Sequence, residues 1–420
     1  VGGNGDLPKI PCHSHNEEWG GLMDASGQWR SGATSAVSRL GTRFLVFPQP
    51  PFIPGYERPE TVWISTPPNS IGPGPADRRM YVIDPLPDKE PYQFPYLPPY
   101  AGAQRPPAEA GPDGHFDTIP IGTPEFEAAH VFACVRRVLD ICESYLGREI
   151  PWFFEPTYDR LEIVPRLRWD NAQSGYGFLE MGEDFARGEA QPFALNFDAV
   201  AHEVGHLIIF GVMGVPRFDP PHEYFAYHEA VADFIALIAL LHFDTALDLL
   251  LRRTRGNLLI ANELDRFAEL SDEKQVRLFS HSLRMSDVSA EVHDLSKPFA
   301  GGLFDILVEI YQVLLFERGL SDLDPREFRD MRAELSEEEL EEQLSVSLAD
   351  AEVNHFAMRS ALEEARNFVG EVLVRSWAEL DPERLDYREA AEAMIAVAEA
   401  GRASRFAASV ADNFTWREIL

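Results

Sequence analysis

Apolar residues change rhythm twice along this chain. Up to about residue 122 they keep no period, because prolines break every run: 19 of the 32 prolines fall between 45 and 122, in phrases such as "PQPPFIPGYERP" and "PYQFPYLPPYAGAQRPP". Proline has no backbone donor to give to a helix or an inner strand, so residues 1–122 are expected to be irregular and extended. Disordered tails are poor in aromatics, whereas this segment interleaves them and includes "RRMYVIDPLP". An arm laid over a folded body fits better than a free tail.

From Thr123 the period becomes helical. Phe126, Ala129, Phe132, Ala133, Val138 and Ile141 share one face, with Thr123 placed to cap the helix and Gly147 to stop it. Two β-rich runs follow, "IPWFFEP" and "LEIVPRLRW", and then "NAQSGYGFLEMGE", whose glycines and alternation predict an edge strand or bulged ribbon. After residue 196 the helical rhythm returns, through "PHEYFAYHEAVADFIALIALL", "AGGLFDILVEIYQVLLF" and "DYREAAEAMIAVAEAG". The acidic "SEEELEEQLSVSLADAE" reads as one solvated helix face. The pattern therefore predicts an α+β protein: a Pro-rich extended region (1–122), a mixed α/β stretch with an edge strand (123–196) and a mainly helical remainder (197–420).

Composition adds limits. With 420 residues, 45% of them apolar, the chain can bury a core of one large or two medium lobes. A formal charge of -32 leaves no basic surface to track phosphates, so nucleic acid is excluded as a partner. Cys12, Cys134 and Cys142 cannot make a disulfide framework, and the last two sit on the apolar face of the predicted helix as buried thiols. "FIALIALL" is too short to cross a bilayer, so no integral membrane segment is expected. "VGGNGDLPKIP" lacks a signal pattern, but the chain begins at Val1, so secretion after removal of a signal stays open and no compartment is assigned.

Inside the apolar run "FDAVAHEVGHLIIFGVMG", His202 and His206 are one helical turn apart and project from one face, with Glu203 angled toward the same space. Two core histidines satisfied by neighbours would give the same letters. A second pair, the acids Glu229 and Asp233 of "HEAVAD", is again four apart on one face of a predicted helix. Zinc would account for all of them. A set of His202, His206 and Glu229 leaves a fourth position open, as catalytic zinc sites do. Asp233 would then hold the other ring nitrogen of a ligand, assigned to His202, with a surface ion pair as the plainer alternative. A metzincin pattern fails, since Ile209 and Val212 stand where it needs glycine and histidine.

With "HEVGH" followed by "EAVAD", the chain resembles the gluzincin metallopeptidases, in particular the thermolysin-like group. The 22 residues between His206 and Glu229 are a few more than that family uses. The resemblance spans roughly residues 124–312 and implies a two-lobed zincin-like fold with one zinc per chain in the cleft. It implies that Asn171 and Ala172, on the edge strand, hold substrate, and that His293 of "EVHDLSKPFAGG" hydrogen-bonds the tetrahedral intermediate. Calcium is not implied, because "FIALIALLHFDTALD" lacks the acid cluster. An arginine that polarises the substrate carbonyl could be Arg277 or Arg284, and Tyr224 or Tyr227 could donate to substrate, with core or surface packing as the plainer fate of each tyrosine.

The expected activity is hydrolysis of peptide bonds in a peptide or protein substrate. Zinc would acidify a water, Glu203 would take its proton and pass it to the leaving amine, and His293 would join zinc in stabilising the oxyanion. Two rivals stand beside it: a non-catalytic zinc-containing scaffold that binds partners, and a zinc hydrolase acting on a non-peptide bond. "PCHSH" adds a latency idea, with Cys12 or a nearby histidine capping the zinc.

Overall fold

The Pro-rich segment is where pattern and structure part. The computed structural model describes residues 41–86, 89–184, 191–259, 266–267, 277–278, 282–324, 327, 339 and 351–420. Within 42–122 it holds strands. β1 (Thr42–Val46) and β2 (Glu60–Ile64) pair antiparallel, with Thr42 opposite Ile64. β3 (Met80–Val82) joins the main sheet, and β4 (Pro85–Leu86) pairs with β5 (Ala103–Gln104). "TRFLV" and "ETVWI" are proline-free, aromatic and β-branched, which is enough for short strands between prolines. Proline density hid them.

The segment is nonetheless laid over the body. Phe47 donates its backbone N–H to His130 Nε2 at 2.9 Å, Gln49 bonds Asp198 at 2.7 Å, and Ser65 bonds Asp140 through both backbone and hydroxyl. Phe44 stacks on Phe116 with centroids 4.8 Å apart, and both are buried.

Helix α1 (Pro124–Leu146) has the ends its sequence predicts. Thr123 accepts from the Phe126 N–H, Pro124 opens the first turn, and Gly147 closes the helix at φ 80°, a left-handed conformation glycine adopts freely. Its buried face includes Cys134 and Cys142 as free thiols, both pushed up by burial. "IPWFFEP" is a turn region, not a strand. Prolines 151 and 156 bracket it, and Trp152 Nε1 donates to the Arg79 carbonyl at 3.0 Å.

The main sheet has the order β3-β6-β8-β7. β6 (Leu161–Val164) runs parallel to β3 and to β8 (Phe178–Met181), while β7 (Ala172–Gly175) turns back antiparallel on β8 and ends the sheet. "NAQSGYGFLEMGE" is thus a tight hairpin whose first strand is the sheet edge. A short ladder of β9 (Glu183–Asp184) with β10 (Gln191–Pro192) leads into the helices.

The rest is mainly helical: α2 (Phe197–Met213), α3 (His222–Leu240), α4 (Asp244–Thr254), α5 (Val292–Glu317), α6 (Ala351–Ser376), α7 (Tyr387–Ala400) and α8 (Ala407–Trp416). Among the described residues there, the strands are a two-residue ladder of β11 (Arg266–Phe267) with β12 (Arg277–Leu278). α2 packs along α3, and α3 along α5, to form the centre of the core. Among the described residues α5 alone is by itself long and apolar enough to cross a membrane, and its apolar window is 89% buried inside the protein. Most of the acidic run from residue 336, and all of residues 1–40 with Cys12, lie outside the described residues.

Candidate active site

Helix α2 starts at Asn196, whose side chain accepts from the Ala199 N–H, and this start sets where the later turns face. His202, Glu203 and His206 fall on the second and third turns. α3 crosses close by because Gly205 has no side chain: a Cβ there would stand 3.0 Å from the Ala232 Cα. Glu229 and Asp233 flank Ala232, so the close approach at this one glycine brings the acidic pair to the histidines.

The result is a three-residue cluster. His202 Nε2 and His206 Nε2 are 3.1 Å apart, His206 Nε2 lies 3.6 Å from Glu229 Oε1, and His202 Nε2 lies 3.8 Å from Glu229 Oε2. Asp233 Oδ1 sits 2.6 Å from His202 Nδ1, and its carboxylate is buried. Asp233 accepts a hydrogen bond from Nδ1–H, so the Nε2 lone pair of His202 is left facing the other two ligand atoms.

These donors suit a zinc ion. Ligands about 2.0–2.1 Å from a tetrahedral zinc stand about 3.3–3.4 Å from each other, close to the three separations. Imidazole and carboxylate are zinc donors by chemistry, and among the described residues this is the one group of His, Cys, Asp or Glu side chains so gathered.

Glu203 stands beside the cluster without joining it. Its carboxyl is held above the ordinary carboxylate range by desolvation first; the His202 imidazole and hydrogen bonds from the Ser174 hydroxyl and backbone oppose this, and Glu229 adds to it. Ser174 lies on β7, so the base candidate touches the sheet edge. Sequence reading did not single out Ser174; its one signal was its place two residues beyond Ala172, on the same strand face. His293, in the first turn of α5 after the capping Glu291, brings Nδ1 to 3.5 Å from Glu229 Oε2 and keeps 61% of its side chain exposed. His228, also unforeseen, stacks on His206 with centroids 5.8 Å apart and is kept neutral by burial.

Comparison of the sequence with known protein families and with curated proteins gives no match. A structural neighbour is a metalloproteinase precursor. It is the precursor of protealysin from Serratia proteamaculans, with 11% identity and a TM-score of 0.46, over 81% of this chain and 87% of that one. A likeness of that size leaves the site to be judged on its own geometry.

The other candidates divide. Ala172 opens β7, and Asn171, exposed just before it, folds its side-chain oxygen back on the Ala172 N–H at 2.9 Å. Tyr224 is 2% exposed, packed against His228 at 4.7 Å, and Tyr227 is fully buried against Phe299. Both rings fill the core, so neither hydroxyl opens toward a substrate, in contrast to the expectation for Tyr224. An apolar helix face next to the cluster claimed both tyrosines. Arg284 stacks on Trp416 and faces Glu418 at 4.0 Å, and Arg277 lies on β12 opposite Phe267.

Proposed function

We propose that the chain is a zinc-dependent metallopeptidase of the gluzincin type, with a two-lobed arrangement in which residues 123–196 form the upper lobe and 197–420 the lower. His202, His206 and Glu229 hold the metal, and Asp233 fixes the tautomer of His202. Bound there, zinc supplies a Lewis acid and a water acidic enough to ionise near neutral pH. Glu203 takes a proton from the attacking water and delivers it to the leaving nitrogen. His293 donates to the oxygen where negative charge develops.

One observation carries the reading: the three donors converge at a helix that packs against the end strand of the sheet, and Glu203, next to His202, bonds Ser174 on that strand. An edge strand offers backbone groups that an extended peptide can pair with, and Asn171 and Ala172 stand where such a peptide would enter. This favours a peptide bond over other hydrolysable bonds, and the presence of a base favours a catalyst over a scaffold. Glu203→Gln should keep zinc and fold while hydrolysis of a peptide library falls about 10²–10⁴-fold. Near-normal turnover would rule out Glu203 as base, and no cleavage by the parent would return the site to the scaffold or non-peptide readings.

A further inference from the structure

Both faces of β7 are engaged. β7 packs against α2, where Ser174 reaches Glu203, and Gln173, one residue earlier, points the opposite way, as alternate strand residues must. There Gln173 Nε2 donates to Glu180 Oε2 at 2.6 Å and to the Tyr92 carbonyl at 3.1 Å. Glu180 is the register partner of Gln173 on β8. It also pairs with Lys89, both side chains fully buried, and accepts the Tyr92 backbone N–H at 2.9 Å. The Lys89 ammonium lies 3.3 Å over the Tyr92 ring, and the Tyr92 hydroxyl bonds Glu162 of β6.

Such a pair is an expensive way to glue a segment down, since apolar side chains of like volume would do so at least as well. What it gives instead is one position. A buried ammonium and carboxylate must meet, and every lone pair of Glu180 that faces Gln173 and Tyr92 ties the arm to the register of the hairpin. We propose that Lys89, Glu180 and Gln173 are positioning residues: arm residues 89–92 brace β7 from behind and so hold Ser174 on Glu203. The inference rests on the metallopeptidase reading for what Glu203 does, but the brace itself is a statement about the strand.

Gln173→Met keeps the volume and removes both donations. In this variant backbone amides of residues 172–175 should exchange with deuterium about tenfold faster, zinc content should be unchanged, and kcat on a cleaved peptide should fall about 10–100-fold with KM within about twofold. Because both residues act through Glu203, Gln173→Met combined with Ser174→Ala should be no slower than Ser174→Ala alone. Should Gln173→Met not fold, Lys89→Met with Glu180→Gln removes both charges at once and is held to the same outcomes. Unchanged exchange at 172–175, or a double variant whose kcat losses multiply, overturns the brace. If the parent cleaves no peptide, the peptidase reading fails, and the exchange measurement still decides the brace.

Discussion

Two kinds of histidine sit within this core, and they differ in what their second nitrogen meets. His130 on α1 is fully buried, with Nδ1 2.7 Å from the Ala194 carbonyl and Nε2 accepting the Phe47 N–H. Both nitrogens are committed to backbone groups, and burial lowers its pKa to about 4. His202 spends one nitrogen on Asp233 and aims the other at His206 and Glu229. Burial alone therefore does not mark a ligand. What marks it is a lone pair left facing other donors, with a carboxylate behind the ring to keep it there.

That contrast can be sharpened first at the cluster. His293→Ala should lower kcat by about 10²–10³ with little change in KM, because a donor aimed at developing charge contributes mainly in the transition state. Stopped assays on zinc-loaded protein check this. If kcat stays within about twofold while thermal stability drops, His293 packs the start of α5 instead.

His130 should behave in the opposite manner. His130→Gln should cost about 1–3 kcal/mol of stability by unpairing buried backbone groups, with zinc content unchanged. Acid provides the second check. The unfolded chain takes up this proton near pH 6.5 and the folded chain only near 4, so the neutral imidazole favours folding above pH 6.5. That contribution is lost as pH falls toward 4, by up to about 3 kcal/mol. Urea titrations across this range should show a parent whose stability falls more steeply with acid than that of His130→Gln. Equal slopes would mean that His130 does not titrate differently in the two states.

The smallest effect concerns the arm that His130 anchors. Residues 45–86 and 89–122 should resist brief proteolysis, because their backbone is tied to α1, α2 and the sheet at many points. Rapid cutting throughout, leaving an intact core, would contradict the tie.

What the sequence made legible follows from range. Thr123 and Gly147 announced α1 because caps act within one turn, and the face shared by His202 with His206, like that shared by Glu229 with Asp233, was readable because helical spacing converts directly into it. β3 was not readable: its partner β6 lies about eighty residues on, and "MYV" has no period to declare. Ser174 and the brace behind it depend on a hairpin register and on Lys89 meeting Glu180 across 91 positions, which no local pattern encodes. Tyr224 was misplaced for a related reason, since a tyrosine beside a motif looks the same in sequence whether it faces a cleft or a core.

The central claim is that His202, His206 and Glu229 hold one zinc ion, and metal content per chain tests it most directly. After dialysis against a mild chelator, elemental analysis of the parent should find about one zinc per chain, and Glu229→Ala should retain only a small fraction of it while remaining folded. A parent that binds no zinc, or a Glu229→Ala variant that keeps it in full, would contradict the assignment.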